Sequence, residues 1–301
     1  MGSMAKRVFL FIAVNALVIV TISFILNLLN VQPFLTQRGL DYNALMSFCL
    51  IWGMAGAFIS LALSRIMAKW LMGVQVIDPA QARGAERELV DMVHDLAKKA
   101  GLPKMPEVGI YQSPEVNAFA TGPTSARSLV AVSTGLLNRM NGQEVEAVLA
   151  HEVAHVANGD MVTMTLLQGV VNAFVMFFAR VLAYVVMRMG RSRDEEGIGS
   201  PFMYTILVFV FEILFMILGT IVIAAYSRFR EFRADAGGAR YVGRDKMIQA
   251  LRALEKTSQI HDPHAEQPAF QNFKISNTKP IMRLFASHPP LEARIARLQG
   301  K

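Results

Sequence analysis

Long apolar blocks and polar stretches alternate along this chain. Apolar residues run from Val8 to Leu29, interrupted by Asn15, Thr21, Ser23 and Asn27. Further runs cover Ala44 to Leu63, Met161 to Met187 and Phe202 to Tyr226. Each meets the ~20 residues of helix that a bilayer core requires, so the pattern predicts four transmembrane helices in two hairpins. The polar sequence comes in two pieces, roughly residues 74–159 and 227–301. In the first, Ala80 to Ala100 reads as a helix closed by Gly101-Leu102-Pro103. Val108 to Tyr111, Val116 to Thr121 and Leu129 to Ser133 read as short strands. A second helix opens at Asn141, with Glu144 three residues on as a capping box. It stops at Asn158-Gly159, and Asp160 is placed to cap the apolar helix that follows. The chain has no internal repeat and no low-complexity tract.

This divides the chain into a short leader, residues 1–3, which reads as a cloning scar. A hairpin over 4–73 follows, with spans near 8–29 and 44–63. The first polar segment, 74–160, precedes a second hairpin over 161–226, with spans near 161–187 and 202–226. The second polar segment is 227–301. The first apolar run follows Lys6 and Arg7, as in a signal peptide. It is longer than the ~7–15 residues of such a core and lacks a clear cleavage site, which favours an uncleaved anchor. The fold class is α+β, mainly α: four membrane helices and a domain with a small β-sheet assembled from two polar segments.

Composition agrees. The 301 residues are 53% hydrophobic and the formal net charge is +7. A basic chain can bind nucleic acid. Here Lys6, Arg7, Arg65, Lys69, Arg228, Arg230 and Arg233 flank apolar runs instead, where they face anionic lipid. One cysteine, Cys49, allows neither an internal disulfide nor a cysteine metal site. Lysine and arginine in short loops place the N-terminus and both polar pieces in the cytoplasm. Arg188, Arg191 and Arg193, on the expected outer side, run against that assignment.

Candidate chemistry lies in "AHEVAHVANGD", residues 150–160. Residues four apart share a helix face, so His151 and His155 can point at one metal ion. Glu152, one step round, is placed to take a proton from water rather than to bind the metal. The bland alternative is a helix with two surface histidines. Val145, Val148, Leu149 and Val156 make the helix half buried, where unpaired imidazoles are costly. A catalytic zinc takes a third protein ligand and keeps an open position. A histidine six residues after His155 would supply one, but Met161 stands there. A glutamate on another helix is the other solution, and Glu-x-x-x-Asp occurs once, at Glu231 and Asp235. Glu231 is the candidate third ligand, and Asp235 the carboxylate that fixes a histidine tautomer. Two predicted spans separate the motifs, so both fall on one side of the membrane.

Taken together, "HEVAH…NGDMVTMTL", "NAFATG", "EFRADAGGA" and "SHPPLEARI" resemble the HtpX group of integral-membrane zinc metalloproteases, and more distantly the CAAX prenyl proteases of the Ste type. The resemblance covers nearly the whole chain. It implies a gluzincin-like protease domain holding one Zn2+ per chain in the bacterial inner membrane. The active site faces the cytoplasm and acts on damaged membrane proteins under stress, with self-cleavage. It implies that Asn117 and Ala118 lie on an edge strand that pairs with an extended substrate. It also brings His288 and Arg294 to the catalytic centre, where an oxyanion needs a donor. Among the other histidines, His94 is expected on a helix surface, and His261 and His264 in a loop.

One expectation comes from counting alone. In an antiparallel hairpin turning near residue 196, Arg180 and Glu212 fall opposite each other, and charges inside a bilayer pair or face protein. Two other functional classes compete with a protease. A metal transporter would carry ligands inside its spans, yet no histidine lies in any of them. A membrane scaffold with a structural zinc would close the site with four protein ligands. Protein substrates and the lipid bilayer are the expected partners, and no nucleic acid.

Overall fold

The computed structural model describes residues 35–36, 39–189, 200–259 and 284–300. The expected first span, the leader at 1–3 and both His261 and His264 lie outside the described residues. An antiparallel pair of two-residue strands, β1 (Leu35–Thr36) and β2 (Gly39–Leu40), precedes helix α1 (Tyr42–Leu71). Strand β3 (Gln75–Val76), helix α2 (Ala85–Lys99), strands β4 (Glu107–Tyr111), β5 (Ala118–Thr124) and β6 (Arg127–Ser133), and helix α3 (Thr134–Arg139) follow. Helices α4 (Gly142–Ala157), α5 (Asp160–Met189), α6 (Pro201–Val242), α7 (Arg244–Gln259) and α8 (Leu291–Leu298) complete the described chain. Three of these, α1, α5 and α6, are long and apolar enough to cross a membrane. The arrangement is mainly helical with one small mixed sheet, as the sequence predicts.

Two compact units share these elements. One gathers the described residues up to Ser60 with Thr165–Ile223; the other gathers Leu61–Met164 with the described residues from Ala224. In the first unit, the Asp41 carboxylate accepts the amides of Asn43 and Ala44 and starts α1. Helices α1 and α5 approach closely at small residues, with Leu45, Cys49 and Ala173 buried between them. This is how membrane helices associate where the lipid is as apolar as the side chains. Arg180 on α5 donates to Glu212 on α6 at 2.7 Å and to the Met176 carbonyl at 3.0 Å. The pair expected from the hairpin count is therefore present.

The second unit holds a four-stranded sheet in the order β3-β4-β6-β5. β4 and β6 are parallel; β3 and β5 flank them antiparallel. β6 is central and its residues from Ser128 to Ser133 are all buried, which explains its unbroken run Leu-Val-Ala-Val. Gly122 sits at the irregularity between β5 and β6 with φ 143°, and a Cβ there would lie 2.1 Å from the Arg127 carbonyl. Only glycine tolerates that position. Helix α2 buries Leu89, Val90, Val93, Leu96 and Ala97, spaced as one helical face. It starts at Ala85, five residues later than expected. Asp78 instead caps a turn through the Ala80 amide, and Gly84 has φ 54°.

Helix α4 is the core of this unit. Ala147, Leu149, Ala150, Val153 and Val156 are at most 1% exposed among residues of α2, the sheet and α7. The predicted capping box is present, Asn141 Oδ1 accepting from the Glu144 amide and Glu144 answering to the Asn141 amide. The apolar run ends near Tyr226 in the sequence, but the helix does not: α6, 42 residues long, runs unbroken to Val242. Nothing between Tyr226 and Gly237 breaks a helix, so the carboxylates of "EFRAD" stand on the same rod as the apolar span.

An unpaired arginine at the centre of a membrane helix costs ~2.5–3.5 kcal/mol on insertion scales. Glu212→Ala is therefore expected to lower the thermal midpoint in detergent. The double variant Arg180→Met with Glu212→Met should recover most of that loss, because it removes both charges together.

Candidate metal centre

Helix periodicity puts His151 and His155 on one edge of α4, and their rings meet edge to face at 4.6 Å between centroids. Their Nε2 atoms are 3.1 Å apart. The Glu231 carboxylate comes from α6, with Oε2 3.4 Å from His151 Nε2 and Oε1 3.3 Å from His155 Nε2. The three groups offer ligand atoms within 4.8 Å of one another. Two glycines allow this approach. A Cβ on Gly237 would lie 2.8 Å from Ala154 Cβ, and one on Gly238 would lie 3.2 Å from the His151 amide nitrogen. Without side chains there, α6 lies directly against α4 and carries Glu231 to the histidines.

Each imidazole is held from behind. Asp235, one helical turn after Glu231, lies 2.9 Å from His151 Nδ1. Asp160 lies 2.7 Å from His155 Nδ1. Sequence reasoning gave Asp160 to the capping of the next helix; instead it is the first residue of α5 and its oxygens meet His155 and Arg233. Arg294, on α8, grips Asp235 with two bonds of 2.7 and 2.6 Å. Its Nη2 also lies 3.3 Å from His151 Nδ1 and its Nη1 3.7 Å from Glu231 Oε2, so the guanidinium stands against the cluster itself. His288 stands before α8 with Nδ1 2.8 Å from Glu231 Oε2.

Charge is concentrated here. Burial works against protonating His151, yet Asp235 and Glu231 hold its pKa up at about 9. Burial likewise opposes ionisation of Glu231, and the imidazoles of His151, His155 and His288 drive its pKa far below the usual carboxylate range. Asp160 is also held low against burial, by His155 and Arg233. These residues fit a divalent cation. Both Nδ1 atoms face carboxylates, so a proton kept there leaves Nε2 of each ring as the atom available to a metal once the ring is neutral. Glu231 is fully buried, and its oxygens accept no well-formed hydrogen bond among the described residues. A buried anion left in that state is costly. A cation between the three groups supplies the missing partner.

The centre opens into a cleft of about 430 Å³. Glu152 lines it without entering the cluster of ligand atoms. Met247, Leu251 and Leu254 of α7 give it an apolar wall. Along another side runs β5, the open edge of the sheet. The Asn117 backbone is turned inward: its carbonyl accepts from the Ser133 amide at 2.9 Å and its amide donates to Ser133 Oγ at 3.1 Å. Bonded positions alternate along an antiparallel pair. The outward N–H and C=O groups are therefore those of Ala118 and Ala120, so the Asn117 backbone is not free to pair with a substrate. His94, half buried on α2, lies 3.3 Å from the Pro106 carbonyl, away from the centre.

Comparison with known proteins agrees with this geometry. The sequence profile described as Peptidase family M48 matches residues 84–301. The chain belongs to that family. A Protease HtpX homolog of Bacillus velezensis is 52% identical over 304 residues, covering 99% of this chain and 100% of its own. A Protease HtpX of Shewanella sp. is 51% identical over 297 residues, covering 98% and 100%. The crystal structure of S. mikatae Ste24p has the same fold, with a TM-score of 0.65 at 19% identity. The match covers 98% of this chain and 64% of that one. The chain is thus a metalloendopeptidase and an integral-membrane protein, and the expected family is the right one.

If Gly237 is what lets α6 close on α4, Gly237→Leu should destabilise the protein by ~1–3 kcal/mol through overpacking. Cleavage should fall with it. Gly142, with nothing within 4 Å of its added Cβ, is the control: Gly142→Ala should leave both thermal midpoint and cleavage rate at or above wild type.

Proposed function

We propose that this chain is a zinc-dependent endopeptidase of the bacterial inner membrane that cleaves damaged or misfolded membrane proteins, with its active site on the cytoplasmic side. The convergence of His151, His155 and Glu231 beside Glu152 carries the reading. Two imidazoles and one carboxylate are the donor set of a catalytic zinc, which keeps its fourth position open. No fourth His, Cys, Asp or Glu joins the cluster among the described residues, which favours a catalytic over a structural site. A zinc ion held there would polarise the scissile carbonyl and acidify a water molecule.

The chain's own groups then divide the work. Glu152 takes the proton from the attacking water and returns it to the leaving amine nitrogen. His288, at the mouth beside Glu231, supplies a donor to the developing oxyanion. Asp235 fixes the His151 tautomer, and Arg294 holds Asp235. Extended substrate adds to the edge of β5 through the outward groups of Ala118 and Ala120, and Asn117 reaches it by its side chain alone. The apolar wall of α7 suits the hydrophobic segments that a misfolded membrane protein exposes.

Three features support the remaining parts of the reading. Arg65, Lys69, Arg83 and Arg87 follow the apolar run at Ala44–Leu63, as they do on cytoplasmic faces. The unit limits near Ser60, Met164 and Ala224 agree with a catalytic domain built from the polar segments 74–160 and 227–301 between hairpins at 4–73 and 161–226. Stress-linked quality control and self-cleavage rest on the resemblance to the HtpX group.

Glu152→Gln tests the chemistry. Zinc content, measured by metal analysis of purified protein, should stay at one per chain. Cleavage of an unfolded membrane-protein substrate should drop at least ~100-fold. Wild-type cleavage by that variant overturns the mechanism.

A further inference from the structure

We propose that Asp160 and Arg233 form a second positioning relay for the metal centre, acting on His155 as Asp235 and Arg294 act on His151. The inference rests on the metal site proposed above and extends it to two residues that the ligand spacings, His-x-x-x-His and Glu-x-x-x-Asp, do not specify. The two chains of contacts have the same form. On one side His151 Nδ1 meets Asp235 at 2.9 Å, and Asp235 is held by two bonds from Arg294. On the other His155 Nδ1 meets Asp160 Oδ2 at 2.7 Å, and Asp160 Oδ1 is held by Arg233 Nη2. Asp160 is completely buried. A carboxylate in that position persists because both of its oxygens are partnered.

Local backbone explains how a residue five positions after His155 returns to it. On a continuous helix, position i+5 points about 140° away from position i. Here α4 ends at Ala157, Gly159 takes φ 67°, and α5 begins at once with Asp160. The change of direction at Asn158-Gly159 brings the carboxylate under the imidazole. Arg233 lies two residues after Glu231 on α6, so the helix that delivers the third ligand also delivers the clamp on Asp160. The relay has two effects. It fixes the proton on Nδ1, which frees Nε2 as the ligand atom, and it locks the ring's orientation. Outer contacts of this kind typically change metal affinity ~10–100-fold when removed.

The two relays differ in exposure as well as in the number of clamping bonds. The Arg294 side chain is 8% exposed, whereas that of Arg233 is 41% exposed. Arg233 is therefore the replaceable end: its loss admits water to Asp160, while loss of Asp160 leaves a buried imidazole N–H unpaired.

The test is Zn2+ affinity of the full chain in detergent, by competition with a chromogenic chelator, alongside the visible spectrum of the Co2+-loaded protein. Asp160→Ala should weaken Zn2+ binding ~10–100-fold, and Asp160→Asn by less, because its amide oxygen still accepts from Nδ1. Arg233→Ala should give a smaller loss that Arg233→Lys restores, and the Co2+ bands should shift in both Asp160 variants. Glu107→Gln, which loosens the ion pairs to Arg65 and Lys69 away from the cleft, should lower the thermal midpoint and leave affinity and spectrum unchanged. If Asp160→Ala fails to fold, Asp160→Asn and Arg233→Ala decide. Wild-type affinity and spectrum in the folded Asp160 variants overturn the relay. Wild-type Zn2+ affinity in His155→Ala would instead overturn the metal site itself, so the two failures are distinguishable.

Discussion

A fully buried glutamate facing two imidazole nitrogens is the constraint around which this molecule is arranged. Glu231 sits at zero exposure with its oxygens 3.3 and 3.4 Å from the two Nε2 atoms. Desolvating a carboxylate is expensive, and the two Nε2 atoms beside it are only 3.1 Å apart. A divalent ion would stabilise that arrangement. The surroundings are built to keep the three groups in register: a fully packed α4, two glycines where α6 touches it, and a carboxylate behind each ring. Arginines stand close to this cluster because each meets a carboxylate behind it, Arg294 at Asp235 and Arg233 at Asp160.

How much of this could be read from residues alone depends on the range of the interaction. Short-range periodic signals were legible. The i, i+4 histidines, the Glu231/Asp235 pair one turn apart, the capping box at Asn141 and the buried strand β6 all follow from helix or strand geometry within a few residues. Arg180 and Glu212 were legible for a similar reason: two antiparallel helices of equal rise keep a fixed sum of residue numbers across a hairpin. Asp160 was not. An aspartate after Asn-Gly is a conventional helix cap, and the contact with His155 depends on a turn angle that no periodicity encodes. Gly237 and Gly238 were visible as "GG", but which backbone they let in was not.

Backbone polarity was also hard to read. The edge strand was anticipated from "NAFATG", yet which residues point outward depends on which pair is bonded, and Ser133 settles that by engaging Asn117. A shift of one residue inverts the assignment. The 42-residue length of α6 is not legible in the apolar run, because composition changes near Tyr226 while the helix does not. Helix propagation asks only for the absence of breakers, and "SRFREFRAD" contains none.

That uninterrupted helix has a practical consequence. The apolar stretch and Glu231 belong to one helix, and α5 begins on Asp160, whose carboxylate meets the His155 ring. Anyone wishing to excise a water-soluble protease fragment has no tether to cut. Severing the chain before Asp160, or replacing α6 up to Arg230 with a flexible spacer, disturbs the His151–His155–Glu231 cluster along with the anchor. Any soluble version must keep the opening turn of α5 and splint α6 with a substitute helix, so that Glu231 is still presented on a stiff support.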